Sequence, residues 1–238
     1  EEVVAIHYRS SAADRKPREP AEVKPPTDSE HYVKHTFKAQ NGIKIDYWFM
    51  SPMKIEAGRK YPLVLTLHGL SGNATAATEL GSPALREQFP CFVMAPVSTA
   101  DGLWASPYAE LMQDKYGKAS LQTALEAMDA VINTYPIDPE RTYVTGQSMG
   151  GAGTYNARHY RPGVFAAAIP VCGLSDPKDN DVLLKRAIWV HNGKVAWRIA
   201  ENHPWQEPNY RGSGEHCSGA RYASRATWEW LFQQHRTK

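Results

Sequence analysis

An excess of either charge is almost lacking in this chain of 238 residues, where 27 Lys and Arg stand against 25 Asp and Glu for a formal net charge of +2. So near a balance, the molecule exerts no broad electrostatic pull on nucleic acid or anionic membrane, and neither is expected as a partner. Long hydrophobic runs are also missing. The longest, such as Phe165 to Val171, have the length of a strand and fall far short of a bilayer span. Cysteine is scarce: three residues, at positions 91, 172 and 217, exclude a disulfide framework and offer no zinc-type pair spacing. Cys91 and Cys172 lie in apolar, strand-like runs and read as packing residues. Cys217 could pair with one of them, although that is not the expected arrangement. No internal repeat or low-complexity block occurs, and no metal or organic cofactor is implied. The chain opens on Glu1-Glu2 rather than methionine, which makes prior removal of a leader, and hence a secreted or periplasmic location, an expectation.

What is present fits one domain large enough to bury a full core beside a pocket. Residues 1–30 are rich in proline and charge, with Lys16-Pro17-Arg18-Glu19-Pro20 and Lys24-Pro25-Pro26, and read as an extended or disordered arm preceding a domain over 31–238. His31 to Lys38 and Ile43 to Met50 alternate apolar and polar residues around Asn41-Gly42, the signature of a hairpin. From Tyr61 onward, continuous apolar runs alternate with helix-like stretches, as parallel strands covered on both faces do. Strands are predicted at 63–67, 92–95, 142–145, 166–171 and 187–191, and helices at 75–79, 120–135, 151–160 and 223–235. The predicted fold is α/β, a mostly parallel sheet with antiparallel strands at its start.

Within that grammar, Gly146-Gln147-Ser148-Met149-Gly150-Gly151 falls between a β-prone run and a helix-like stretch. Strand, pinched turn and helix in that order make a nucleophile elbow, in which the serine is held in a strained conformation at the head of the helix. A bare G-x-S-x-G would arise by chance roughly 0.07 times in a chain this long at ordinary glycine usage, so the flanking pattern carries the weight. Ser148 is the candidate nucleophile, and the elbow supplies the Met149 N–H as one oxyanion donor. A second donor is expected from Leu67-His68-Gly69-Leu70-Ser71-Gly72, a strand exit bracketed by glycines, at the N–H of Leu70. Among nine histidines, His216 in Gly212-Ser213-Gly214-Glu215-His216 stands out as base, because it precedes the last helix and follows the serine in chain order. His203 is its rival, His68 is expected to bond within the oxyanion loop, and His191 to shape the site.

Four segments in order, Tyr61 to Gly69, Ile137 to Gly151, Ile169 to Gly173 and Trp228 to Phe232, resemble the α/β-hydrolase esterases grouped with feruloyl esterases, polyhydroxybutyrate depolymerases and predicted peptidases. The resemblance covers roughly 37–234. It implies an α/β-hydrolase fold with Ser148 as nucleophile, His216 as base, and Leu70 and Met149 as amide donors. In that family the triad acid follows the strand matching 187–191, but here the chain reads His191-Asn-Gly-Lys-Val-Ala-Trp-Arg-Ile-Ala-Glu-Asn202, without an aspartate. Asp176, after the preceding strand, is the first replacement and Glu201 the second; either would have to reach the far ring nitrogen of the histidine. Trp104, Trp197 and Trp205 fall in predicted loops beyond strand ends, where they could form a platform for an aromatic acyl group or simply cover core. Trp228 and Trp230 read as packing residues. The resulting expectation is a serine carboxylesterase acting on a small-molecule or polymer-linked ester, aryl or hydroxycinnamoyl esters first. A noncatalytic binding protein lacking the acid loop is the alternative.

Overall fold

The computed structural model describes residues 26, 29–98, 104, 117–173, 186–191 and 222–236. Its centre is a seven-stranded sheet: β1 (Val33–Lys38), β2 (Lys44–Met50), β3 (Tyr61–Leu67), β4 (Phe92–Pro96), β5 (Ile137–Gln147), β6 (Ala167–Val171) and β7 (Ala187–Ile188), in the order β1-β2-β4-β3-β5-β6-β7. The hairpin forms as its turn residues demand. Gly42 takes φ 86, and β1 pairs antiparallel with β2 from Val33↔Phe49 to Lys38↔Lys44. β2 pairs antiparallel with β4, and every pairing from β4 through β3, β5 and β6 to β7 is parallel.

Among the described residues five α-helices cover the sheet: α1 (Thr75–Leu80), α2 (Pro83–Gln88), α3 (Gly117–Thr134), α4 (Met149–Tyr160) and α5 (Arg225–Gln233). All seven residues of β3 are buried, so its side chains must alternate between two covered faces. Leu63, Leu65 and Leu67 meet Leu121, Leu125, Met128 and Val131 of α3 and Ala157 of α4. Val64 faces the other way, in a cluster with Ala76, Ala77 and Leu80 of α1 and Trp228 and Leu231 of α5. Leu121, Leu125, Met128 and Val131 thus form the buried face of α3, and Trp228 is a wholly buried packing residue.

The differences in extent are local. β5 begins at Ile137 rather than 142, its early residue pairing Tyr61↔Ile137 before a register shift leads to Leu63↔Thr142. β7 is two residues long, and His191 rejoins the sheet as an isolated parallel bridge to Val171. α2 is not among the predicted helices, although Ser82-Pro83 supplies an N-cap residue followed by proline at the first helical position. No described helix is long and apolar enough to cross a membrane.

Candidate active site

The C-terminal ends of β3, β5 and β6 lie side by side, and the chain leaving β5 turns into α4 with no intervening loop. Ser148 is the N-cap of α4 at φ 56, ψ −115, a combination that a residue with a β-carbon avoids and that costs of order 1–3 kcal/mol. The surroundings hold it there. Its N–H donates to Val171 O at 2.8 Å, pinning the turn to β6, and its own carbonyl accepts from Ala152 N–H at 3.1 Å. Its side chain makes no capping bond, so the hydroxyl is not consumed by the helix it heads.

The glycines around Ser148 are explained by space rather than by dihedral angle. A β-carbon on Gly150 would collide with the carbonyl of Leu67, and one on Gly146 would stand 2.7 Å from the same oxygen. On the other side, a β-carbon on Gly151 would lie 2.5 Å from Val171 O and 2.7 Å from Gly173 N. β3, the turn, α4 and the exit of β6 therefore touch backbone to backbone. The helix accordingly begins at Met149, two residues before the predicted start. Met149 N–H belongs to its first turn, whose donors have no intrahelical acceptor.

Facing the elbow is the exit of β3. A β-carbon built on Gly69 would stand 3.3 Å from Gln147 O and 3.8 Å from Ser148 Cβ, so the buried start of this loop, His68 and Gly69, lies against Ser148. Its geometry is set by His68. His68 Nε2 accepts the backbone N–H of Ser98 at 3.0 Å, which leaves the proton on Nδ1, and Nδ1–H then donates to Gly69 O at 2.7 Å. Gly72 N–H donates to the same oxygen at 3.0 Å. Burial pulls the His68 pKa below its ordinary value against the opposing effect of the bond to Gly69, in keeping with a neutral ring. In a trans peptide the C=O and the next N–H point in opposite directions, so fixing Gly69 O also fixes the direction of the Leu70 N–H. The Leu70 side chain is itself exposed.

Trp104 contradicts the platform reading. It is wholly buried, its Nε1–H donates to His68 O at 2.8 Å, and its ring meets the His68 ring edge-on at 4.9 Å. Gly153 of α4 leaves the room it fills, since a β-carbon there would come 2.5 Å from Trp104 Cβ. The polar tip of an indole seeks an acceptor when buried, and here it finds the His68 carbonyl at the exit of β3. Trp104 therefore supports that loop from within.

Cys172 is the second correction. Its apolar context suggests packing, yet it is disulfide-bonded, whereas Cys91 is buried and free with its thiol pushed up to about 12 by burial. His216, Asp176, Glu201, Trp197, Trp205, His203 and Cys217 lie outside the described residues. His191 is buried at the end of the sheet, its N–H donating to Pro170 O and its carbonyl accepting from Cys172 N–H. Among the described residues no group of histidine, cysteine and carboxylate side chains could hold a metal ion. The support that Trp104 and Ser98 give to His68 is not readable from the sequence. The adjacency of His68 to Gly69 is the only local signal for it.

The family described as "Putative esterase" matches residues 40–230. A thermostable esterase of known structure is 28% identical, with a TM-score of 0.72 over 87% of this chain and 64% of that one. The feruloyl esterase module from Clostridium thermocellum shares the fold at 13% identity, with a TM-score of 0.55 over 78% of this chain and 75% of that one. Poly(3-hydroxyalkanoate) depolymerase C of Paucimonas lemoignei is 30% identical over 118 residues, 47% of this chain. Uncharacterized peptidase YuxL of Bacillus subtilis (strain 168) is 27% identical over 119 residues, 48% of this chain. The matched stretches span only 28% and 18% of those two proteins. The sheet and its covering helices are those of the α/β-hydrolase esterases.

Proposed function

The chain belongs to the "Putative esterase" family, and from that premise we propose that it hydrolyses carboxylic esters through a serine-bound acyl enzyme. The observation that carries this reading is Ser148 itself, strained, uncapped and set against the Gly69 loop. A serine hydroxyl is a weak nucleophile at neutral pH and needs a base, for which the reading takes His216. As Ser148 Oγ attacks the ester carbonyl, His216 accepts its proton and returns it to the departing alkoxide. The N–H groups of Leu70 and Met149 hold the oxyanion, and fixed donors of this kind cost no reorganisation as the charge develops. Water, activated by the same imidazole, then releases the acid. Asp176 is the acid proposed to orient His216, with Glu201 second.

Aryl or hydroxycinnamoyl esters are the proposed substrates, on the motif resemblance, with Trp197 and Trp205 as the remaining aromatic candidates for binding them. The depolymerase relative makes aliphatic polyesters the competing class. The disulfide at Cys172 supports an oxidising location, secreted or periplasmic, because such bonds persist there. A fluorophosphonate probe should label the wild type at one site and leave Ser148→Ala unlabelled, with hydrolysis of p-nitrophenyl acetate falling by about 10³-fold or more in the variant. Equal labelling of the two proteins would remove Ser148 from the mechanism. Comparing methyl ferulate with a 3-hydroxybutyrate oligomer then separates the two substrate classes.

A further inference from the structure

Among the described residues, the large apolar side chains that stand exposed are Val33, Met53, Ile55 and Leu70. The first three share one end of the sheet. Val33 pairs with Phe49 of β2, whose next residue pairs with Val93 near the start of β4, and Met53 and Ile55 lie in the link from β2 to the start of β3, so all three flank the N-terminal ends of the parallel strands. Leu70 alone stands at the C-terminal ends, just beyond β3 and beside the elbow, with 56% of its surface exposed. Single exposed leucines are ordinary on protein surfaces, so exposure by itself argues nothing. Place and rigidity do.

The loop that carries Leu70 is held at both ends against the strand that delivers Ser148. At its start, a β-carbon on Gly69 would lie 3.8 Å from Ser148 Cβ, which puts the α-carbon of Leu70 within about 9 Å of that atom. The Gly69 carbonyl that precedes Leu70 accepts both His68 Nδ1–H at 2.7 Å and Gly72 N–H at 3.0 Å. At its end, Thr75 Oγ1 donates to Gln147 Oε1 at 3.4 Å, tying the start of α1 to the residue before the serine. Ser71 and Asn73 are exposed too, and polar, so Leu70 is the one large apolar side chain that this fixed loop offers to solvent.

We propose that the Leu70 side chain is the apolar wall against which the acyl chain of the ester lies, and hence a specificity-determining residue. The proposal rests on the reading of Ser148 as nucleophile and of the Leu70 N–H as oxyanion donor. A donor of that kind sits about 2.9 Å from the oxyanion, and the second carbon of the acyl group lies about 2.4 Å from the same oxygen, so the chain leaves the carbonyl within reach of the isobutyl group on the donor residue. The acyl group stays on Ser148 through both chemical steps while the alcohol departs after the first, which assigns the lasting contact to the acyl side. Because hydrogen bonds already fix the loop, covering Leu70 requires no further ordering of its backbone, and the burial is expressed as affinity.

The test is the ratio of kcat/KM for p-nitrophenyl hexanoate to that for p-nitrophenyl acetate, in wild type, Leu70→Ser and Leu70→Met. A fully buried methylene is worth about fourfold in binding, and a wall on one side captures part of that over the extra methylenes of the hexanoyl chain. Leu70→Ser should lower the ratio about tenfold, mainly through KM of the hexanoate, as loss of uniform binding does. Leu70→Met, which keeps an apolar chain of similar length, should hold it within about twofold. The ratio of kcat/KM for hexyl acetate to methyl acetate, which varies the alcohol alone, should change by less than about twofold in either variant. An unchanged acyl ratio in Leu70→Ser, whether or not both rates fall, or a loss that follows the alcohol series, would overturn the proposal. Failure of the wild type to hydrolyse any of these esters would instead bring down the esterase reading, and this inference with it.

Discussion

The hairpin edge and the elbow belong to one sheet, yet glycine does opposite work in them. Gly42 and Gly58, in the turns before β2 and β3, need positive φ, and a β-carbon added to either would meet nothing within 4 Å. Gly150 has no unusual φ but no space, because the carbonyl of Leu67 occupies the site of a side chain. At the edge, sequence is constrained by the conformation of one residue. At the elbow it is constrained by how closely three strand ends and a helix must approach to present Ser148. The largest expected effect breaks that contrast directly. Gly150→Ala should lower the unfolding free energy by more than about 3 kcal/mol or prevent folding, since the clash is with backbone that cannot swing away. Gly58→Ala should cost about 1–2 kcal/mol, for its φ alone. Urea midpoints of the two variants measure the difference, and equal shifts would refute the close-approach account.

The next effect concerns direction rather than space. His68→Ala removes the Nδ1–H that holds Gly69 O and should lower kcat about tenfold, by roughly 1.4 kcal/mol, through misalignment of the Leu70 N–H. His68→Asn, which can place an amide donor near the same point, should recover part of the loss. The pH dependence has a definite sign. Burial holds the folded His68 pKa below its ordinary 6.5, so below that value the unfolded chain takes up a proton that the folded chain resists. Stability is therefore full above 6.5 and is lost as pH falls through the folded pKa, where a protonated ring would set a new N–H against that of Ser98. Acid denaturation of His68→Asn should show a shallower dependence in this window.

How much of this is legible in the sequence depends on whether the cause is local. Asn41-Gly42 specifies its hairpin within four residues, and the apolar runs of β3, β4 and β6 specify buried strands wherever they are placed. Ser148 is legible because the turn itself demands small neighbours. Trp104 is not: an indole in a loop looks alike whether its N–H meets solvent or the His68 carbonyl, and only tertiary packing against Gly153 decides. Cys172 misleads for the same reason, since apolar neighbours describe the strand before it and not the partner of its sulfur. β5 begins earlier than its sequence suggests because Asp138-Pro139 reads as a turn, whereas the strand accommodates it by a register shift against Tyr61 and Leu63.

A buried hydroxyl in the centre gives a smaller but clean comparison. Thr145 of β5 donates to Ile169 O at 2.6 Å and, 2.9 Å away, receives the hydroxyl of fully buried Tyr222, whose carbonyl in turn accepts the indole N–H of Trp228. Thr145→Val leaves the phenol without that acceptor and should cost about 1–3 kcal/mol, read as a lowered urea midpoint with little change in KM. Adding Tyr222→Phe to Thr145→Val should recover part of the cost, because removing both polar partners is cheaper than orphaning one.

The smallest effect belongs to the exposed edge. Asp46 on β2 receives Lys34 Nζ at 2.8 Å and the Thr36 hydroxyl at 2.6 Å, and these bonds, Lys34 first, hold its carboxyl below the ordinary 3.8. A carboxylate with a depressed pKa adds stability above the unfolded value and loses it as pH falls through the folded one. Lys34 is about half exposed, however, and water screens the pair, so Asp46→Asn should cost no more than about 0.5 kcal/mol near neutrality and less in about 1 M salt. A salt-insensitive loss of several times that size would mean that the hairpin edge, like the elbow, depends on buried geometry, and the distinction between the two regions would fail.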